Sequence, residues 1–109
     1  MPLYIASCKG HTEEVGRLLQ AGADVNQVQK DGSTPLTIAC ERGRTDVVKM
    51  LLAHDGVDVN QANKNGWTPL NIANHNGHAE VVKMLLAHDG VDVNQATVSY
   101  THLTLPTKA

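Results

Sequence analysis

Apolar residues in this chain follow a pattern that returns every 33 or 34 positions. A short cluster comes first in each period: Leu36, Ile38 and Ala39, then Leu70, Ile72 and Ala73. A second cluster follows as Val47, Val48, Leu51 and Leu52, then as Val81, Val82, Leu85 and Leu86. Pairs at i, i+1, i+4 and i+5 form a stripe of helical period, wide enough to bury against neighbours on two sides. Thr34-Pro35 and Thr68-Pro69 open the first cluster with a capping hydroxyl and a proline suited to the first helical position. Gly43 and Gly77 are placed to end that helix, where positive φ is cheap. The second helix opens at Thr45-Asp46 or Ala79-Glu80, with an acid at the positive end of the helix dipole. Gly56 and Gly90 turn the chain out again. No predicted helix exceeds about three turns, so none is stable alone and stacking must supply the core.

The period is visible in polar residues too. Pro-Leu recurs at Pro2, Pro35 and Pro69, and Gly10, Gly43 and Gly77 take the same steps. Asn26, Asn60 and Asn94 are evenly spaced, and Val47–Ala62 is identical to Val81–Ala96. Such identity reads as recent duplication within an array. The units run approximately 1–29, 30–63 and 64–97. One residue is inserted between the Leu pair and Asp-Val-Asn in the second and third units, a change that loop closure tolerates at little cost. The first unit has Met1 in place of the capping Thr, and Gly16 inside its second helix costs about 1 kcal/mol relative to Ala.

Three segments carry a resemblance: Asp31-Gly32-Ser33-Thr34-Pro35-Leu36, Gly77-His78-Ala79-Glu80-Val81-Val82-Lys83-Met84-Leu85-Leu86, and Gly22-Ala23-Asp24-Val25-Asn26. Over residues 2–97 the chain resembles the ankyrin repeat family. The resemblance implies an all-α solenoid of stacked helix–turn–helix units with hairpin-like connecting loops. It also implies a side-chain network between the capping Thr and a His after Pro-Leu. Here Tyr4, Thr37 and Asn71 stand in that His position, and Thr37 and Asn71 are expected to substitute in part.

Residues 98–109 break the pattern. Val98–Thr107 resembles a transposon-end sequencing adapter translated in one frame, so 98–109 is read as a non-native segment, the alternative being a disordered tail. On that reading the repeat count is a lower bound. Neither terminal unit is expected to have the polar outer face of a capping repeat, and a three-unit array of this kind is expected to be of low stability.

Composition narrows function mainly by exclusion. The chain has 109 residues, 18% charged, a net charge of −2 and 3% aromatic residues with no Phe. That balance gives no general attraction to nucleic acid or to an anionic membrane. No apolar run approaches the roughly 20 residues of a membrane helix, and residues 1–14 lack the charged-then-apolar pattern of a secretory signal. Two cysteines are too few for a disulfide framework, which points to an intracellular, cytoplasmic setting. Cys40 is expected inside as a packed thiol, and Cys8 nearer the surface. His75 and His78 stand three apart without a further ligand at metal spacing. The Asp55–Asn60 loop puts Val57 and Val59 where a calcium loop needs oxygens. No phosphate loop or Ser-His-Asp order is present, so the chain reads as neither an enzyme nor the holder of a metal, cofactor or small-molecule substrate.

What is left is a surface for another protein. The family resemblance implies binding through hairpin tips, here Lys30, Asp31 and Ser33, then Lys64, Asn65 and Trp67. Thr37, Glu41, Asn71, Asn74 and His75 are expected to line the adjoining concave face. Trp67, the sole tryptophan, is an interface hot-spot type. The resemblance also makes Asn26, in its Leu-x-x-x-x-Asp-Val-Asn setting, a candidate for asparagine hydroxylation. Three readings of function stand: an interaction module with no chemistry of its own, the targeting arm of a longer enzyme or channel, or a purely structural spacer. A long read of the source DNA across the codon for Thr97 is expected to run into a further Gly-x-Thr-Pro-Leu turn. A read that instead confirms Val98 to Ala109 and then a stop codon rejects the adapter reading.

Overall fold

The computed structural model describes residues 2–88 and 91. The expected turn at Gly90, residues 92–96 of the duplicated stretch with Asn94 among them, and the whole 98–109 segment lie outside the described residues. The described residues form six helices: α1 (Pro2–Lys9), α2 (Thr12–Gln20), α3 (Pro35–Arg42), α4 (Thr45–Leu52), α5 (Pro69–His75) and α6 (Ala79–Ala87). They contain no strand. Each odd helix pairs with the even helix after it. The row α1–α3–α5 stacks along one side of the array and the row α2–α4–α6 along the other.

The starts of α3 and α5 follow from Thr-Pro. Thr34 Oγ1 accepts the Thr37 backbone N–H at 3.2 Å, and Thr68 Oγ1 does the same for Asn71 at 3.2 Å. These bonds satisfy donors that a helix N-terminus otherwise leaves open. The Thr34 hydroxyl also lies 3.0 Å from that of Thr37, so Thr37 takes up the side-chain network expected at this position. Asn71 does not. Its carboxamide is buried with neither polar atom hydrogen-bonded, and only its backbone N–H reaches Thr68. The even helices begin at Arg44 and His78 with no side-chain cap.

The core runs between the two rows. Val15, Val47, Val48, Leu51, Val81 and Leu85 are fully buried along the even helices, with Leu36, Ala39, Cys40, Leu70 and Ala73 along the odd ones. A buried Val or Leu contributes about 1.5–3 kcal/mol, and no single short helix could bury these residues by itself.

Consecutive units are also tied through polar backbone. Arg44 Nε donates to the Cys8 carbonyl at 2.9 Å. His78 Nε2 lies 3.0 Å from the Glu41 carbonyl, which also accepts from Asn76 Nδ2 at 3.2 Å. Because a carbonyl only accepts, the His78 ring carries its proton on Nε2. Cys8 and Glu41 occupy the same register, so in each case the next unit satisfies a last-turn carbonyl that its own helix cannot. On the loop side, Asn26 Nδ2 donates to the Gly56 carbonyl at 2.7 Å, and its Oδ1 accepts from Asp58 N–H at 2.7 Å.

The expectation about the end faces needs one correction. Met50 of α4 reaches Gly16 of α2, and Val47, three residues before it and so on the same helix face, is fully buried. The matching positions of α2 are Glu14 and Arg17, which form a 3.1 Å ion pair and are largely exposed. The first unit therefore does carry a polar outer face on its second helix. Its first helix leaves Ile5 uncovered there, 49% exposed.

Two glycines respond oppositely to a methyl group. Gly32 has φ +83°, and a Cβ there would lie 3.0 Å from the Lys64 backbone nitrogen. At Gly16 a Cβ would lie 3.2 Å from Met50 Cε, the free end of a flexible side chain. Gly32→Ala is expected to destabilise by about 1–3 kcal/mol. Gly16→Ala is expected to stabilise by about 0.5–1 kcal/mol. Urea unfolding of the two variants checks both signs.

Candidate functional site

The side of the molecule carrying the hairpin tips and the short helices is built on two similar turns. In the second unit Gln29 N–H donates to the Ser33 carbonyl at 2.9 Å, and Asp31 accepts from both the N–H and hydroxyl of Ser33 at 3.0 and 3.1 Å. In the third, Asn63 N–H donates to the Trp67 carbonyl at 3.0 Å. Asn63 Oδ1 accepts from the N–H groups of Asn65 and Trp67 at 2.9 and 3.1 Å. The tips are joined by Lys64 N–H to the Asp31 carbonyl at 2.8 Å. Short side chains that bond to backbone two residues on are what such turns require.

Trp67 leaves its tip half-buried, and its ring meets that of His75 on α5 at a centroid distance of 5.0 Å and an interplanar angle of 56°. That tilted arrangement suits aromatic pairs. Lys64 and Asn65 stand exposed beside Trp67, and Lys30 and Asp31 one unit back. Glu41 and His75 are exposed at the same register of α3 and α5, where α1 carries the half-buried Cys8.

Four of the expected contact residues sit differently. Thr37 is 0% exposed and Asn71 2%, because both face inward beneath their capping threonines. Ser33 is buried as well, held against Asp31. None of the three is presented on the concave face. Asn74 is half-buried, but it borders a groove on the end face of the third unit with Gly77, Ala79, Val82 and Lys83. Asn26, the candidate hydroxylation position, has its carboxamide engaged in the bridge to Gly56 and Asp58.

One residue was missed. Tyr4 lines an open groove of about 420 Å³ with Gln29, Lys30 and Asp31. Partial burial pushes its hydroxyl pKa up, assisted by the negative charge of Asp31. The available signal was size: the matching positions hold the small, inward Thr37 and Asn71, which a phenol cannot replace in the same space.

The match to known proteins decides the family. The model for ankyrin repeats in three copies covers residues 3–97. This chain belongs to the ankyrin repeat family. Among individual relatives, the E3 ubiquitin-protein ligase XBAT33 of Arabidopsis thaliana is 51% identical over 51 residues, 47% of this chain and 10% of that protein. Protein phosphatase 1 regulatory subunit 12A of Mus musculus is 42% identical over 50 residues, 46% of this chain and 5% of its own length. Ankyrin repeat protein nuc-2 of Neurospora crassa is 38% identical over 53 residues, 49% of this chain and 5% of that protein. The ankyrin array thus matches a small part of each relative.

Ankyrin repeats are a protein-interaction fold. Among the described residues no three His, Cys, Asp or Glu side chains gather as metal ligands, and no helix is long and apolar enough to cross a membrane. The two thiols differ sharply. Cys40 is fully buried and burial pushes its thiol far up, whereas Cys8 is half-buried on α1. A native-state thiol titration is expected to label Cys8 alone, and Cys40 only once the chain unfolds. Equal labelling rates would contradict the packing described for α3.

Proposed function

We propose that this ankyrin array is a scaffold that binds another protein, with no catalysis of its own, no cofactor and no small-molecule substrate. The reading rests chiefly on the Trp67 tip. Asn63 fixes its backbone, His75 orients its ring, and Lys64 and Asn65 stand free beside it. A large ring held in one place before binding loses little entropy when a partner docks. Lys30, Asp31, Glu41 and Tyr4 continue the same surface across the first two units.

A targeting arm within a longer protein is the second reading. It is favoured by the similarity to short stretches of an E3 ubiquitin-protein ligase and of a phosphatase regulatory subunit. In that case the same surface brings a partner to chemistry located elsewhere in the polypeptide.

Trp67→Ala is expected to weaken partner capture at least tenfold, a loss typical of a hot-spot aromatic, while far-ultraviolet circular dichroism stays unchanged. Capture compared across Trp67→Ala, Lys64→Ala and a change at Lys49, on the other row, locates the surface. Equal capture by the parent and Trp67→Ala would reject the tip as the binding element.

A further inference from the structure

Helix α1 carries a phenol where α3 and α5 carry the sealed Thr37 and Asn71. The Tyr4 ring is half-buried and walls an open groove of about 420 Å³ with Gln29, Lys30 and Asp31. Its hydroxyl makes no hydrogen bond to any of the described residues. Two carboxylates reach this ring from different directions. Asp31 stands on the hairpin tip ahead of α3, and its two oxygens are oriented by the Ser33 N–H and hydroxyl at 3.0 and 3.1 Å. Glu41 is exposed in the last turn of α3. Partial burial does most to raise the Tyr4 pKa, and the charges of Asp31, Cys8 and Glu41 raise it further. Arg42 opposes them and is the weakest influence. Negative charge therefore prevails at the phenol oxygen, although Lys30 lines the same groove.

Among the described residues neither Asp31 nor Glu41 has an ion-pair partner, Lys30 and Arg42 included. An aromatic face, an oriented carboxylate and a second unneutralised acid around open space match a planar cation. A guanidinium can stack on the ring and donate to a carboxylate at the same time, which an ammonium on a flexible stem does less well. We propose, resting on the protein-binding reading above, that this groove receives an arginine side chain of the partner. Its guanidinium stacks on Tyr4 and donates to the Asp31 carboxylate, while Glu41 supplies the second negative charge.

The occupant is chosen by charge complementarity. A carboxylate entering the groove would meet Asp31 beside it, and a neutral side chain would leave both acids as they are. Each acid of the pair is exposed, so the groove selects among partners more than it tightens binding.

The test titrates the isotope-labelled full chain with the peptide acetyl-Gly-Arg-Gly-amide at low ionic strength, read by nuclear magnetic resonance. The Tyr4 ring signals and the amides of Asp31 and Glu41 are expected to shift together. The same peptide with citrulline, which keeps the shape and loses the charge, should shift none of them. A lysine peptide should bind about threefold more weakly, having no plane to stack. Asp31→Asn and Glu41→Gln should each weaken the arginine peptide about three- to fivefold, and Lys30→Gln should tighten it about twofold. Tyr4→Phe should bind as the parent does and Tyr4→Leu about threefold more weakly, with circular dichroism confirming that each variant is folded. Equal shifts with the citrulline peptide overturn the proposal, as does arginine binding that survives Asp31→Asn and Glu41→Gln together. A glutamate peptide that shifts the same signals, and loses them in Lys30→Gln, would assign the groove to an acidic side chain and overturn the choice of occupant. The titration needs no partner, so its failure leaves the Trp67 capture result standing. Equal capture by the parent and Trp67→Ala would in turn leave the titration unaffected.

Discussion

The whole structure depends on how closely one repeat can settle on the one before it. Helices of seven to nine residues do not persist in water by themselves, so each unit is ordered by its neighbours. Close approach is secured at backbone level by residues without side chains. Gly43 leaves room for the His78 ring, whose Nδ1 would lie 2.7 Å from any Cβ placed there. Gly32 does the same for the backbone of Asn63 and Lys64. Once the units are this near, the polar ends of one helix row become partners for the next. The carbonyls of Cys8 and Glu41 are satisfied across the interface, by Arg44 and by His78 with Asn76. Apolar contact and backbone satisfaction thus require the same spacing, and loss of one would loosen the other.

Because contacts are between neighbours, identical residues have different lives at different places in the stack. Val48 is sealed and Val82 is not, although the helices that carry them share the same Val-Val-Lys-Met-Leu-Leu sequence. The first unit meets its exposed side with Glu14 and Arg17 rather than with Val and Met, at the positions where an apolar surface would otherwise face water. Ile5 shows that this adaptation is confined to α2. Stability in such a chain is a sum over interfaces more than a property of one core.

Most of the architecture was legible because it is periodic. Thr-Pro, the paired Val and Leu positions and the glycines after the short helices each act within a few residues, and repetition in register reinforces them. The candidate surface was less legible for a physical reason. Whether a polar residue on a short helix faces a partner or its own cap depends on the helix's rotation relative to the units on either side. It depends equally on the place along the helix: Thr37 and Glu41 share a face of α3, yet Thr37 is sealed in the first turn under Thr34 and Glu41 is exposed in the last. Asn71 was expected to join Thr68 through its side chain, and only its backbone does so. Tyr4 was not counted among the contact residues because its position is an inward one in the other two units. The α2 ion pair was missed because Glu14 and Arg17 look like ordinary solvated residues until the register of α4 assigns them to an end face.

The same constraint explains why a stack of this kind can bind without rearranging. Stacking fixes the row of short helices, and the row fixes the tips through bonds such as Lys64 N–H to the Asp31 carbonyl. Each tip is therefore positioned twice, by its own turn and by its neighbour. Trp67 is positioned a third time, by the ring of His75. Side chains at the tips contribute little to the core, so Lys30, Lys64 and Asn65 are free of the packing demands that hold Leu36 or Leu51 to their identities. A surface that is rigid in backbone and unconstrained in side-chain choice is suited to selective recognition, because the ordering cost is met in folding and not at the moment of binding.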